Sequence, residues 1–236
     1  MSLLTKAAVT MLLGSSMVAA TPVHLAGRQS GCSAVHIITA RASTEPAGEG
    51  IIGGVADGIE ESNSDVTREA VDYPARLFPY ASSSEEGTQA LTEQLTAYVN
   101  NCPDSKVVLL GYSQGAHVVG DVLCGGGGVP GIGSESPPIS TEIGDKVAAI
   151  IQMGDPRHVA GESYDVGTSE NDGLFPRQDD QSCEHYASKI QSYCDDGDTF
   201  CDSGSSTAVH MAYVTKYGDE AVQFVNGLLG GNQTGQ

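Results

Sequence analysis

The sequence predicts an α/β protein: a central parallel sheet with helices on both faces, a three-layer α/β/α sandwich. Three observations predict it. The runs at 34–40, 107–110 and 146–154 are almost continuously apolar, as strands buried on both sides must be. Segments with helical spacing, 53–61 and 82–101 among them, stand between those runs. Strands that alternate with helices pair in parallel and carry their helices as outer layers. At 236 residues the chain has enough material for one such domain with a full core, and it shows no internal repeat.

Taken in order, residues 34–40 form the first strand, and Arg41-Ala42-Ser43-Thr44-Glu45-Pro46 leaves it as a polar loop. Residues 53–61 read as a helix, and 65–71 lead into Asp72-Tyr73-Pro74 as a second strand. A long helix follows over 82–101. Ser84 is placed to cap it, Gly87 is a minor blemish, and Ala90, Leu91, Leu95 and Tyr98 recur at helical spacing. After the central strand and a helix over 116–123, a glycine- and proline-rich loop runs to Glu142. The next buried strand, 146–154, ends at Asp155-Pro156. Residues 160–188 are polar with few structural signals. Residues 207–225 read as a helix that breaks near Gly218 and packs through Ala221, Val222, Phe224 and Val225. The order of the strands is not fixed by the sequence.

The chemistry centres on Val107-Val108-Leu109-Leu110-Gly111-Tyr112-Ser113-Gln114-Gly115. A buried strand runs into G-Y-S-Q-G and then into a helix, which is the context of a nucleophile elbow. So tight a turn holds the serine in a crowded backbone conformation, and glycines two before and two after it leave room for neighbouring strand and helix. The hydroxyl is raised clear of the sheet edge, at a helix N-terminus whose free N–H groups can stabilise an oxyanion.

Ser113 then needs a base and an acid. Of the six histidines, His24 lies in the leader or propeptide, His36 inside the first strand, and His117 one turn along the elbow helix, where it points down the helix. His158 and His185 sit in the polar region. His210 follows the flexible stretch Ser203-Gly204-Ser205-Ser206-Thr207 and is the only histidine after residue 185, which suits a base that comes last in chain order. For the acid, Asp155 ends a strand, and Asp195, Asp196, Asp198 and Asp202 surround a short loop between Cys194 and Cys201. A disulfide there would hold a carboxylate at fixed aim. The residues alone do not choose among the loop aspartates.

Bulk properties narrow the function. Eleven basic and 30 acidic residues give a net charge of −19. Such a surface disfavours nucleic acid, anionic membranes and polyanionic substrates, and it favours neutral ones. The N-terminus reads as a secretory signal over residues 1–20, with Lys6 as its positive region, a short apolar run and Val18-Ala19-Ala20 before the cut. The run is too short for a membrane span. Residues 21–31 are expected to be a short propeptide or linker, 32–230 a single catalytic domain and 231–236 a flexible tail. Cys32, Cys102, Cys124, Cys183, Cys194 and Cys201 are even in number without any C-x-x-C pair, which points to three disulfides rather than a metal site. Asn232-Gln233-Thr234 is a glycosylation sequon.

Taken together, G-Y-S-Q-G at 111–115, Cys194-Asp195-Asp196-Gly197-Asp198-Thr199-Phe200-Cys201 and the later His210 resemble the cutinase and acetylxylan esterase family of secreted fungal serine esterases. The resemblance runs from Cys32 to about Leu229. It implies a compact, lidless α/β-hydrolase sandwich with Ser113 as nucleophile, Asp198 as acid and His210 as base. It implies an oxyanion hole from the N–H groups of Gln114 and Ser43, and disulfides Cys32–Cys102 and Cys194–Cys201, leaving Cys124–Cys183. Cys124-Gly125-Gly126-Gly127, Met153-Gly154-Asp155-Pro156 and Ser163-Tyr164-Asp165-Val166-Gly167-Thr168 look like the acetylxylan esterase branch. The loop 42–46 looks more like cutinases. Residues 155–185 are polar, with Leu174-Phe175-Pro176 as the one apolar patch, which favours a small acyl group on a polar alcohol.

The expected activity is therefore ester hydrolysis on acetylated xylan, by a monomer that needs no metal or organic cofactor. A cutinase acting on aliphatic polyester or short-chain esters is the first alternative. A silent secreted binding protein on the same fold is the second.

Overall fold

The computed structural model describes residues 31–230. The expected leader at 1–20, all but the last residue of the expected linker at 21–31, His24, the tail at 231–236 and the sequon at Asn232 lie outside the described residues.

Six strands, β1 (Val35–Ala40), β2 (Val66–Ala70), β3 (Lys106–Tyr112), β4 (Val147–Met153), β5 (Asp165–Gly167) and β6 (Ile190–Cys194), form one sheet in the order β2-β1-β3-β4-β6-β5. Every neighbouring pair is parallel. The helices are α1 (Gly53–Ser62), α2 (Tyr80–Asn101), α3 (Gln114–Cys124), the short α4 (Thr141–Gly144) and α5 (Thr207–His210), and α6 (Tyr213–Leu229).

The sheet is buried on both faces because its inner strands carry apolar side chains to both sides. Ile38, Val107, Leu109 and Ile150 pack with Leu91 and Leu95 of α2 and Val118 and Val122 of α3. Ile37, Val108, Leu110 and Ile151 pack with Val55 and Ile59 of α1 and Ala221 and Val225 of α6. The three-layer expectation therefore holds. Disulfides join Cys32 to Cys102, Cys124 to Cys183 and Cys194 to Cys201.

Four local expectations are corrected. Helix α2 begins at Tyr80 after Pro79, so Ser84 is inside it, its hydroxyl donating to the carbonyls of Tyr80 and Ala81. Gly87 is a packing requirement rather than a blemish, since a Cβ there would lie 2.8 Å from both the Tyr73 ring and Val118. The last helical segment breaks at Met211–Ala212, not at Gly218, which continues inside α6. A mid-helix glycine costs only about 1 kcal/mol, less than packing can supply. Strands β5 and β6 were not expected at all: β5 has three residues, and β6 reads Ile-Gln-Ser-Tyr-Cys, too polar to look buried.

Candidate active site

Strand order places the site. The chain crosses from β1 outward to β2 and returns to β3 on the other side of β1, so β1 and β3 are neighbours whose following loops diverge. That divergence opens a crevice at the carboxyl ends of the strands. Ala40 pairs with Gly111, and Tyr112 with Met153, which in turn pairs with Tyr193, so four strand ends finish level. From these ends come Ala42 and Ser43, Ser113, Gly154 to Pro156, and the Asp195–Asp198 loop.

Ser113 sits at φ 53° and ψ −117°, outside the ordinary regions for an L-residue. The flanking glycines make this possible. A Cβ on Gly111 would lie 2.5 Å from the Gly115 carbonyl oxygen, and one on Gly115 only 1.9 Å from that of Ala40. Gly111 thus admits the helix and Gly115 admits the end of β1. Gln114 opens α3, so its N–H belongs to the first turn, where no carbonyl of the helix is available. Its side chain accepts from Ser83 Oγ at 3.1 Å and donates to the Arg76 carbonyl at 3.0 Å, fixing the start of α2 against the elbow.

Ser113 Oγ lies 2.9 Å from His210 Nε2, and His210 Nδ1 lies 2.9 Å from Asp198 Oδ2 and 3.1 Å from Oδ1. His210 closes the one-turn helix α5, whose start is capped by Ser206 Oγ accepting from the Val209 N–H. Tyr112 donates to the His210 carbonyl at 2.5 Å. Gly154, at φ 65°, makes room for the ring: a Cβ there would stand 2.7 Å from His210 Cε1. Asp198 is wholly buried. Its Oδ1 accepts from the Phe200 and Cys201 N–H groups at 2.6 and 3.1 Å, and its Oδ2 from the Tyr213 hydroxyl at 2.7 Å. Burial pushes this carboxyl up, but the bonds and charge of His210, the Phe200 N–H and Tyr213 outweigh it and hold it below its usual range. An imidazole so placed can take a proton from the serine hydroxyl while the carboxylate fixes its tautomer.

The other candidates are engaged elsewhere. Asp155 accepts from the Arg157 N–H at 2.9 Å and from Gln152 at 3.3 Å. Asp195 binds Lys216 at 2.6 Å and Tyr217 at 2.7 Å, and Asp202 binds Ser169 at 2.5 Å and the Gly197 N–H at 2.7 Å. Asp196 is exposed. His36 is held by Thr67 at 2.8 Å and Glu69 at 2.9 Å, and stacks on Tyr98. His117 bridges the Tyr80 hydroxyl at 2.9 Å and Asp121 at 3.0 Å. His158 is buried 3.5 Å from Asp165, and His185 is an exposed partner of Asp145.

The hydroxyl opens into a cleft of about 350 Å³, lined among others by Ser43, Leu77, Leu174, Phe175, Phe200 and Met211. Ser43 is half-buried on a loop pinned by Arg41 donating to the Tyr73 carbonyl at 2.6 Å and by Glu45 accepting from the Ala42 N–H at 2.7 Å. The cleft wall is more apolar than the sequence suggested. Leu77, Phe200 and Met211 come from segments far from the 174–176 patch, and only the fold gathers them. Tyr213, Tyr112 and Gly154 also escaped the sequence reading. Only the glycine, next to a strand end, carried a signal.

Comparison with known proteins gives a consistent picture. The cutinase family model matches residues 31–229. An acetylxylan esterase of Hypocrea jecorina is 37% identical over 97% of this chain and 79% of its own length. Cutinase 11 of Verticillium dahliae is 37% identical over 86% of this chain and 70% of its own. The solved structure of an acetylxylan esterase at 0.90 Å superposes with a TM-score of 0.80 at 36% identity, covering 84% of this chain and 99% of that one.

Proposed function

Because the chain belongs to the cutinase family, we propose that it is a secreted serine esterase that removes O-acetyl groups from xylan through a covalent acyl-enzyme. The observation that carries this reading is the unbroken path Ser113 Oγ, His210, Asp198, with 2.9 Å at each step, opening into a cleft.

In the proposed reaction His210 Nε2 takes the Ser113 proton as Oγ attacks the ester carbonyl. The tetrahedral oxyanion is held by the N–H groups of Gln114 and Ser43. His210 then gives its proton to the leaving sugar hydroxyl, and Asp198 stabilises the imidazolium in between. A water molecule, deprotonated by the same imidazole, attacks the acyl-serine. Acetate leaves and Ser113 regains its proton. Among the described residues that line the cleft, none is charged apart from His210 when protonated, which suits a neutral ester. Secretion fits six cysteines paired as three disulfides, which persist in an oxidising compartment.

A second reading has its own support. Leu77, Phe78, Leu174 and Met211 are exposed apolar residues, three of them on the cleft, and an aliphatic acyl chain would find contacts there. That is the cutinase alternative. Hydrolysis of p-nitrophenyl esters from acetate to palmitate, with Ser113→Ala alongside, separates the two. A maximum at acetate, abolished by the substitution, is expected. A maximum at butyrate or longer would move the substrate to aliphatic esters. Turnover that survives Ser113→Ala would remove the serine mechanism.

A further inference from the structure

We propose that Tyr213 is a positioning residue for this reaction, its hydroxyl acting as a fixed donor to the carboxylate that orients the base; the inference rests on the esterase reading above.

Tyr213 is the first residue of α6 and is wholly buried. A phenylalanine would fill the same space against the core. The hydroxyl is what distinguishes it, and a buried hydroxyl is costly unless bonded. Here it donates to Asp198 Oδ2 at 2.7 Å, accepts from the Asp195 N–H at 2.9 Å and lies 3.3 Å from Cys201 Sγ. Oδ2 is the oxygen nearer to His210 Nδ1. The carboxylate is therefore clamped from two sides. Backbone N–H groups of the disulfide loop hold Oδ1, and a side chain from a different element holds Oδ2.

The clamp has an electrostatic consequence. A donor on Oδ2 draws off part of the negative charge that would otherwise face the imidazolium. Without it the carboxylate attracts the imidazolium more strongly but is freer to rotate, and the Asp195 N–H loses its acceptor. Burial and the Asp198 charge push the Tyr213 hydroxyl well above its ordinary range, so it remains a donor throughout the working pH range. The other ionisable groups packed here are already committed. Asp195 is paired with Lys216 and Tyr217, Asp202 with Ser169 and the Gly197 N–H, and Tyr112 with the His210 carbonyl.

The test is the pH profile of kcat/KM on p-nitrophenyl acetate for the full chain and for Tyr213→Phe, with Ser113→Ala as control. Tyr213→Phe should lower kcat/KM about tenfold, as the loss of one bond to a charged group implies. Its acid limb, which reports protonation of the base in the free enzyme, should move up by about half a pH unit. An acid limb that superposes on the parent's overturns the proposal, whatever happens to melting temperature, because a merely structural tyrosine would move only the latter. If the variant does not fold, NMR of the unmodified protein decides: a Tyr213 hydroxyl proton resonance must shift as His210 titrates, and a fixed one overturns the proposal. Turnover that persists in Ser113→Ala would instead sink the esterase reading, so the two failures are distinct.

Discussion

Replacing Asp198 by asparagine should lower kcat/KM by about 10⁴-fold while leaving the fold intact, and the bond pattern dictates why. Oδ1 accepts from two backbone donors, the Phe200 and Cys201 N–H groups, which cannot turn away. The amide oxygen must take that position, so the NH₂ group falls where Oδ2 stood, facing Tyr213 and His210 Nδ1. Tyr213 can rotate its proton aside. His210 can meet an NH₂ donor only by offering Nδ1 as an acceptor, which puts its ring proton on Nε2. That proton then points at Ser113 Oγ, 2.9 Å away, where a base is required. The wrong tautomer accounts for a loss of about 5.5 kcal/mol in transition-state stabilisation. Steady-state hydrolysis of p-nitrophenyl acetate gives the ratio, and circular dichroism verifies folding. Asp195→Asn, three residues away and engaged with Lys216 and Tyr217, serves as the control and should stay within about threefold. A folded Asp198→Asn protein that keeps more than about a tenth of the parent's kcat/KM would refute the tautomer argument.

Two further outcomes follow from the same geometry. Gly154→Ala places a methyl 2.7 Å from His210 Cε1 and 2.9 Å from Nδ1, at a φ of 65°, so the ring must move. It should cost about 1–2 kcal/mol of stability and about 10²-fold in kcat, read by thermal melting and the same ester assay. The second concerns acid. Burial raises the Asp121 carboxyl, but the charges of His117, Arg177 and Arg157 overcome this and leave it well below its usual range. Because the folded-state value is depressed below the unfolded one, the carboxylate contributes stability that is fully present well above about pH 4 and is lost progressively as pH falls below that, towards the folded-state value. Asp121→Asn should therefore be less stable at neutral pH by about 3–5 kcal/mol, having removed the carboxylate that buried Arg157 and Arg177 share and left them only Asp155, 3.7 Å from Arg177. Its melting temperature should fall less steeply than the parent's between about pH 5 and about pH 3; parallel curves would contradict the assignment.

The sequence carried the fold wherever burial and periodicity coincide. Strands β1, β3 and β4 are nearly uniform apolar runs, and the stripe through Leu91 and Leu95 made α2 plain. It failed where side chains serve partners that are distant in the chain. Strand β6 has Gln191 and Ser192 between its apolar residues, and Ser192 is buried between β4 and β5, its N–H donating to the Tyr164 carbonyl. Strand order, which creates the crevice beside Ser113, has no local signature. The elbow and the late histidine were legible because the chemistry fixes their residue types and their order in the chain. Choosing Asp198 over Asp195, Asp196 and Asp202 required the family resemblance. In the structure, of these four carboxylates only that of Asp198 bonds His210.

The same distinction bears on the substrate. Read along the chain, residues 155–185 look polar, and a polar surround argues for a small acyl group on a sugar. Across the fold, Leu77, Leu174, Phe175, Phe200 and Met211 share one uncharged wall. An apolar wall does not by itself argue for an aliphatic substrate, because the C–H faces of a sugar ring also pack on aliphatic and aromatic side chains. What separates the readings is whether anything encloses a long acyl chain. Leu77, Leu174 and Met211 are each about half exposed, so the rim stands open to water and an extended chain would remain largely wetted. An acetyl group needs no more than the immediate neighbourhood of Ser113. Burial of the acyl group is what would raise the rate with chain length, at about 0.8 kcal/mol per methylene. On an open rim that increment should flatten after the first few carbons, and a steady rise through the longer esters would require the rim to close over the chain.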